Sequence, residues 1–154
     1  MQNAKLKIKN AVLIFCLLPF AFCLLPACSI PNLEKPECAE ARQTVKEFYS
    51  YHFGNDMQFT PENLRQREKF LTNDFAKNLR DATPQTTGED PFTLTADTPK
   101  AFRVGGCETV EPSKKVNFQI LLFWKTESRS EQREIYAEVV KENGKWLINK
   151  IFKR

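Results

Sequence analysis

Val116-Asn117-Phe118-Gln119-Ile120-Leu121-Leu122-Phe123-Trp124 decides the fold. Val116, Phe118, Ile120, Leu122 and Trp124 alternate with Asn117 and Gln119, the period-two pattern of a strand with one face on a core. Leu121 and Phe123 make its second half apolar on both faces, which predicts a central strand. Downstream, Ile135, Ala137 and Val139 alternate with Tyr136 and Glu138, so another strand follows. Asn143-Gly144 is a two-residue hairpin signal, because both residue types tolerate positive φ. It leads into Trp146, Ile148 and a closing Lys150-Ile151-Phe152 strand. Upstream, Phe102 to Val110 reads as a strand interrupted at Gly105-Gly106, where a bulge or sharp bend is expected. Glu127 to Glu134 is dense in both signs of charge and predicts a solvated hairpin tip.

Ahead of the sheet the period changes. Ala41, Val45, Phe48, Tyr49 and His52 fall at i, i+4, i+7, i+8 and i+11, one apolar face of a helix from about Glu37 to Phe53. Gly54-Asn55-Asp56 ends it. Thr60-Pro61-Glu62 combines an N-cap, a first-turn proline and an acidic first turn, and predicts a second helix carrying Leu64 and Leu71. Thr72-Asn73-Asp74 caps a third, short helix through Phe75 and Leu79. From Ala82 to Pro99 the chain is rich in Thr, Pro, Asp and Gly, a long loop with a small apolar plug, Phe92 and Leu94. Loops of that length in compact domains often carry function. Helices first and an antiparallel four-stranded meander second define an α+β class. The helices at the N-terminal side are expected to pack on a strongly bent sheet, after a cleaved signal peptide.

The signal is read from the first 28 residues. Lys5, Lys7 and Lys9 precede an apolar run from Ala11 to Ala27, closed by Leu25-Pro26-Ala27-Cys28. This is the order of a secretory signal with a small-residue cleavage site. A cysteine directly after that site resembles the lipobox of bacterial lipoproteins, which implies diacylglycerol on Cys28 and removal of residues 1–27. Each buried methylene contributes about 0.8 kcal/mol, so two or more acyl chains hold a protein at a membrane without a spanning helix. Ordinary secretion, or an uncleaved apolar anchor, are the rival readings, and Pro19 and Pro26 disfavour the latter. Ser29 after the cysteine resembles an outer-membrane address, which implies a bacterial envelope with the outer membrane favoured over the inner. Residues 28–36 then form a proline-punctuated tether, and 37–154 the domain.

Lys5, Lys7 and Lys9 are the charged residues ahead of Cys28, so the 23 basic and 19 acidic residues of the whole chain become 20 and 19 after cleavage. The mature chain has no net basic character to match a nucleic acid, and Lys114-Lys115 and Lys150 to Arg154 make no stripe. Cys16 and Cys23 leave with the signal and Cys28 takes the lipid, which leaves Cys38 and Cys107. In an oxidising compartment an isolated pair favours a disulfide over a metal site; the alternative is two buried thiols.

The amphipathic first helix, Phe70-Leu71-Thr72-Asn73-Asp74-Phe75, the late sheet and Gly144-Lys145-Trp146-Leu147-Ile148-Asn149-Lys150-Ile151 resemble the nuclear transport factor 2-like superfamily, also called cystatin-like cones. Within it, Asp90-Pro91-Phe92 and the spacing to Asp97 are similar to a bacterial family of unknown function often found on exported proteins. The resemblance covers roughly Cys38 to Arg154. It implies a cone with a cavity between sheet and helices, and no particular activity, because the superfamily holds enzymes and non-catalytic modules alike.

The candidate pocket residues are His52, Asp90, Asp97 and Trp124. Asp90 and Asp97, with Glu89, place carboxylates near the cavity mouth, where a pair can act as acid and base. Asp before Pro also starts a turn, and Asp97-Thr98-Pro99 is another loop corner, which is the structural reading of both. His52 is the single histidine. It lies on the apolar helix face with no partner carboxylate evident nearby in sequence, so a structural role is favoured. One histidine and no spare thiolate make no zinc site, and no cofactor is expected. The chain has neither a Gly-x-Ser-x-Gly elbow nor a P-loop. Trp124 and Trp146 line a pocket or a sugar site on one reading, and are core residues by their alternation on the other. The function expected is a non-catalytic, lipid-anchored binding protein, taking a small apolar ligand in the cone or an envelope protein as partner. The alternatives are a lyase or isomerase using His52 with Asp90 or Asp97, and a homodimer formed across the sheet.

Overall fold

In the computed structural model, helix α1 spans Pro36–Gly54, one residue longer at each end than the periodicity predicts. Pro36 opens it, since a first-turn residue has no intrahelical N–H bond to lose. Its closing turn is held by the His52 carbonyl, which accepts from the Asn55 and Met57 amides at 3.4 and 3.2 Å. The buried face is Cys38, Ala41, Val45, Phe48, Tyr49 and His52, the stripe expected from the sequence. The structure describes residues 33–55, 57, 59–82, 88–128 and 130–154. The chain divides into two units, Met1–Leu33 and Glu34–Arg154, and everything below concerns the second. The proposed signal 1–27, Cys28 and the tether up to residue 32 lie outside the described residues.

Helix α2, Pro61–Arg67, begins at Thr60, whose hydroxyl accepts from the Asn63 amide at 3.2 Å. It is shorter than expected. The chain tightens into a 3-10 turn at Glu68–Phe70, and Leu71 leaves the helix in extended backbone. Leu71 is buried all the same, because it pairs with Ile148 in an isolated parallel bridge and Thr72 N–H donates to the Ile148 carbonyl at 3.0 Å. Burial of Leu71 is therefore supplied by the sheet rather than by a helix face. Helix α3, Asn73–Ala82, buries Ala76 and Leu79, and the Thr72 hydroxyl caps it by accepting from Phe75 N–H at 3.2 Å.

Four antiparallel strands complete the unit: β1 Ala101–Glu111, β2 Lys115–Lys125, β3 Ser130–Glu142 and β4 Lys145–Phe152, in spatial order β1-β2-β3-β4. β2 is central, as its two-sided apolar end predicts: Leu121 is buried on the face opposite Phe118, Ile120 and Leu122. The β1–β2 register slips between Val104 and Cys107, at Gly105-Gly106. A Cβ on Gly105 would lie 2.4 Å from Gln119 Oε1, so the bulge and the missing side chain belong together. Asn143 and Gly144 turn the last hairpin with φ of 49° and 79°. The β2–β3 tip is smaller than the charge density suggests. Glu131 to Glu134 pair with Leu121 to Trp124 and are strand residues, the ladder running past the apolar stretch.

Helix α1 lies on the sheet face formed by Val116, Phe118, Ile120, Leu122, Ile135, Ala137, Val139 and Ile148. Cys38 in its first turn is joined to Cys107 of β1 by a disulfide, Cα atoms 5.9 Å apart. Arg42, one helical turn on, donates to the Val104 carbonyl at 3.1 Å and pairs with Glu34. That occupies a free acceptor on the outer strand. Among the described residues no helix is long and apolar enough to cross a membrane.

Candidate functional site

The loop between α3 and β1 enters the core and organises the site. Phe92 is completely buried, its ring 4.9 Å from Phe48, 5.1 Å from His52, 6.1 Å from Phe59 and 6.3 Å from Phe75, centroid to centroid. The Phe92 carbonyl accepts from the buried Tyr49 hydroxyl at 2.9 Å. Burial pushes that phenol well above its ordinary pKa of 10, and the nearby Asp90 carboxylate adds to the effect, so Tyr49 stays a donor. The apolar plug read from the sequence thus fills the space between helices and sheet, with Phe92 innermost and Leu94 half-buried.

Asp90 holds the loop's shape. Its Oδ1 accepts from Phe92 N–H at 3.0 Å, and its Oδ2 from the Thr93 hydroxyl at 3.0 Å. Its backbone bridges to Thr95, and its carbonyl accepts from Leu94 N–H at 2.7 Å. Thr93 and Thr95 hydroxyls lie 3.0 Å apart, and Thr95 donates on to the Asp97 carbonyl at 2.9 Å. Leu94 sits at φ 54°, a conformation that side-chain-bearing residues avoid.

His52 does have a carboxylate partner. Its Nε2 lies 2.7 Å from Asp90 Oδ2, across 38 residues of sequence. Its Nδ1 accepts from Arg67 Nε at 3.1 Å. A guanidinium can only donate, so Nδ1 must present its lone pair and Nε2 must carry the proton given to Asp90. The chain Arg67–His52–Asp90 therefore links a buried cation to a carboxylate through a neutral ring of fixed tautomer. Arg67 is fully buried; Nη1 donates to the Asn63 carbonyl at 2.8 Å, while Nη2 is buried without a hydrogen-bond partner among the described residues. Burial lowers the Arg67 pKa, opposed by Tyr51 and Asp90.

Above Asp90 opens a cavity of about 310 Å³, lined among others by Met57, Phe59, Glu89, Asp90, Asp97 and Pro99. Asp90 and Asp97 both reach it; His52, 1 % exposed, stands behind Asp90. The two aspartates differ in setting: the Asp90 side chain is 15 % exposed and that of Asp97 41 %, with Arg133 Nη1 at 3.5 Å from Asp97 Oδ1. Trp124 is not among the residues lining this cavity. It belongs to the core, with the Arg133 guanidinium over its ring at 4.8 Å, because its alternation turns it inward beneath the sheet's covering layer. Of the four candidates, His52 and Asp90 touch, Asp97 shares the cavity wall with Asp90, and Trp124 is not part of it.

Arg67 and Thr93 enter the site without a sequence pattern that marks them, and Tyr49, read as part of the apolar helix face, enters it through its hydroxyl. Arg67 lies four residues after Asn63, whose carbonyl it meets, but nothing in its neighbourhood distinguishes it from a solvated cation. Glu34, Cys38 and Cys107 place ligand-type atoms within 4.8 Å of one another. They do not suit a metal, since both sulfurs are spent in the disulfide and Glu34 is held by Arg42. The hydrogen bond from Arg42 holds the Glu34 carboxyl below its ordinary 4.5, against the opposing effect of burial.

No family model matches the chain. No curated protein matches it. Two solved structures are similar. A Bacteroides thetaiotaomicron VPI-5482 protein of unknown function, at 20 % identity, aligns over 75 % of this chain and 90 % of its own with a TM-score of 0.54. The "Ntf2-like, potential transfer protein TraM" of the Gram-positive conjugative plasmid pIP501, at 16 % identity, aligns over 75 % and 95 % with a TM-score of 0.47. The first likeness is one of fold. Three helices followed by a four-stranded antiparallel sheet is also the layout the nuclear transport factor 2-like resemblance implies.

Proposed function

We propose that this chain is a lipoprotein of a bacterial envelope, acylated at Cys28, whose nuclear transport factor 2-like domain binds a small, largely apolar ligand and catalyses nothing. The observation that carries the non-catalytic reading is the occupancy of the Asp90 carboxylate. Its two oxygens already accept from Phe92 N–H, the Thr93 hydroxyl and His52. A general base needs a lone pair aimed at the substrate's proton, and three of the carboxylate's roughly four acceptor positions are already taken. The aromatic interior around Phe48, Phe59 and Phe75 supports an apolar ligand, and the cavity at Asp90 and Asp97 gives it an approach. The anchor reading rests on the Lys5-to-Cys28 pattern. Intact mass of membrane-extracted protein tests it: a chain beginning at Cys28 with added acyl mass is expected, and a Cys28→Ser chain should stay unacylated and leave the membrane fraction. A full-length unacylated wild-type chain would overturn the anchor.

The 2.7 Å contact between His52 and Asp90 favours a second reading, a lyase or isomerase in which Asp90 moves a proton and His52 orients it. On that reading Asp90→Asn abolishes turnover of an apolar substrate and Asp97→Asn does not. Equal turnover by both variants would remove it.

A further inference from the structure

The segment Asp90-Pro91-Phe92 occupies the interior as a ligand would, and the groups it satisfies describe what else fits there. Three kinds of group, from helices α1 and α3 and from Phe59 in the connection between α1 and α2, meet it. Rings of Phe48, Phe59 and Phe75 surround the Phe92 ring at 4.9 to 6.3 Å. The Tyr49 hydroxyl donates to a carbonyl, that of Phe92, at 2.9 Å. The His52 Nε2–H donates to a carboxylate, that of Asp90, at 2.7 Å. The receiving surface is thus an aromatic box with two buried donors. Both donors are completed by this loop and by nothing else on the helices that carry them, so removing the loop would leave a phenol and an imidazole N–H unpaired in an apolar site. Unpaired buried donors are costly, so any replacement must bring acceptors of its own.

The loop is held in a way that allows exchange. Its hydrogen bonds run mostly within itself, through the Asp90–Thr95 bridge and the bonds of the Asp90 and Thr95 side chains, and its link to the sheet is the exposed Asp97–Arg133 pair rather than strand pairing. Leu94 stands at φ 54°, where the loop stores strain instead of gaining from its conformation. The same loop supplies Asp90, Asp97 and Pro99 to the wall of the 310 Å³ cavity, so a molecule entering there meets the plug directly.

We propose that Asp90-Pro91-Phe92 is an internal plug over a latent binding site, and that the site takes a small aromatic acid bearing a carbonyl, its ring in the place of Phe92 and its two acceptors on Tyr49 and His52. This rests on the reading of the domain as a small-ligand binder, and goes beyond it by naming the ligand's chemistry and the segment it displaces. Wild-type chain binds such a molecule weakly, because the ligand competes with a segment tethered in place. Emptying the ring position removes the competitor for the aromatic box, while the main-chain carbonyl of residue 92 and the Asp90 carboxylate still compete for Tyr49 and His52.

The test uses the full chain and 3-benzoylpropionate, a phenyl ketone carrying a carboxylate, with calorimetric titration of wild type, Phe92→Ala and the double variant Phe92→Ala/Tyr49→Phe. Binding at least tenfold tighter to Phe92→Ala than to wild type, and weakened again by loss of the Tyr49 hydroxyl, is the expected result. Equal affinity for wild type and Phe92→Ala, or none for a folded Phe92→Ala, overturns the proposal. Should Phe92→Ala fail to fold, hydrogen exchange of the wild type decides. The amides of Phe92 and Leu94, bonded to Asp90 atoms, exchange faster with saturating 3-benzoylpropionate if the plug is displaced, and unchanged exchange overturns it. Failure of the binder reading is a separate result: a titration of wild type with apolar compounds lacking acceptors, such as naphthalene derivatives, still succeeds if the domain binds apolar ligands and only the plug chemistry is wrong.

Discussion

Asp90 and Asp97 share a cavity wall, yet their environments assign them different weights. Asp90 accepts from a backbone amide, a hydroxyl and an imidazole, so Asp90→Ala leaves several buried donors unpaired. Its cost is expected at about 2–4 kcal/mol, against under about 1 kcal/mol for Asp97→Ala, whose side chain is 41 % exposed. Denaturant midpoints of the two variants check this, and similar losses would contradict the geometry. Tyr49→Phe strands the Phe92 carbonyl and should cost about 1–2 kcal/mol by the same measurement. At this scale the sequence is legible only in part. The inward turn of His52 follows from its helical position, and Phe92 announces itself as an apolar residue inside a polar loop. Their meeting does not follow, because 38 residues separate His52 from Asp90 and side-chain contacts of that span depend on how the loop docks. Arg67 was illegible for a further reason: a cation is ordinarily solvent-exposed, and here the partners that admit it, Asn63 and His52, sit on two different helices.

Elements are where pattern and structure agree most closely, and each disagreement has a local cause. The period-two stretches yielded four strands in a meander, since alternation and turn residues are both local signals. Helix α2 ended before Leu71 because the sheet edge at Ile148 offers that side chain burial in extended backbone, which no periodicity in α2 records. The charged tip is shorter than its charge density suggests because Glu131 and Arg133 pair with Trp124 and Leu122, Arg133 being held there by the Trp124 ring and Asp97. Two local devices should be measurable. Thr60→Ala removes the cap of α2 and is expected to cost about 1 kcal/mol. Gly144→Ala forces a Cβ onto φ 79° in the β3–β4 turn and should cost a similar amount, about 1 kcal/mol, with both read from thermal or denaturant unfolding.

For the domain as a whole, the Cys38–Cys107 disulfide closes a loop with a sequence separation of 69, which on the chain-entropy model stabilises by about 4 kcal/mol. Unfolding with and without reductant is expected to differ by that order. Acid should weaken the same corner. The Glu34 carboxyl has a folded pKa below its ordinary 4.5, so its contribution is complete above that value and is lost as pH falls through the lower, folded one. Stability measured downward from about pH 4.5 is expected to fall less steeply in Glu34→Gln than in wild type. The disulfide also decides how the domain answers tension. A pull applied on the N-terminal side of Cys38 passes through the sulfur bridge to Cys107 and on into the sheet, bypassing the whole stretch between them. Helices α2 and α3, most of α1 and the Phe92 loop lie in that bypassed stretch and bear no load. A chain hauled by its leading end could be drawn out only through residues outside the bridge, and the stretch from Cys38 to Cys107 could not lengthen until the bridge was cut.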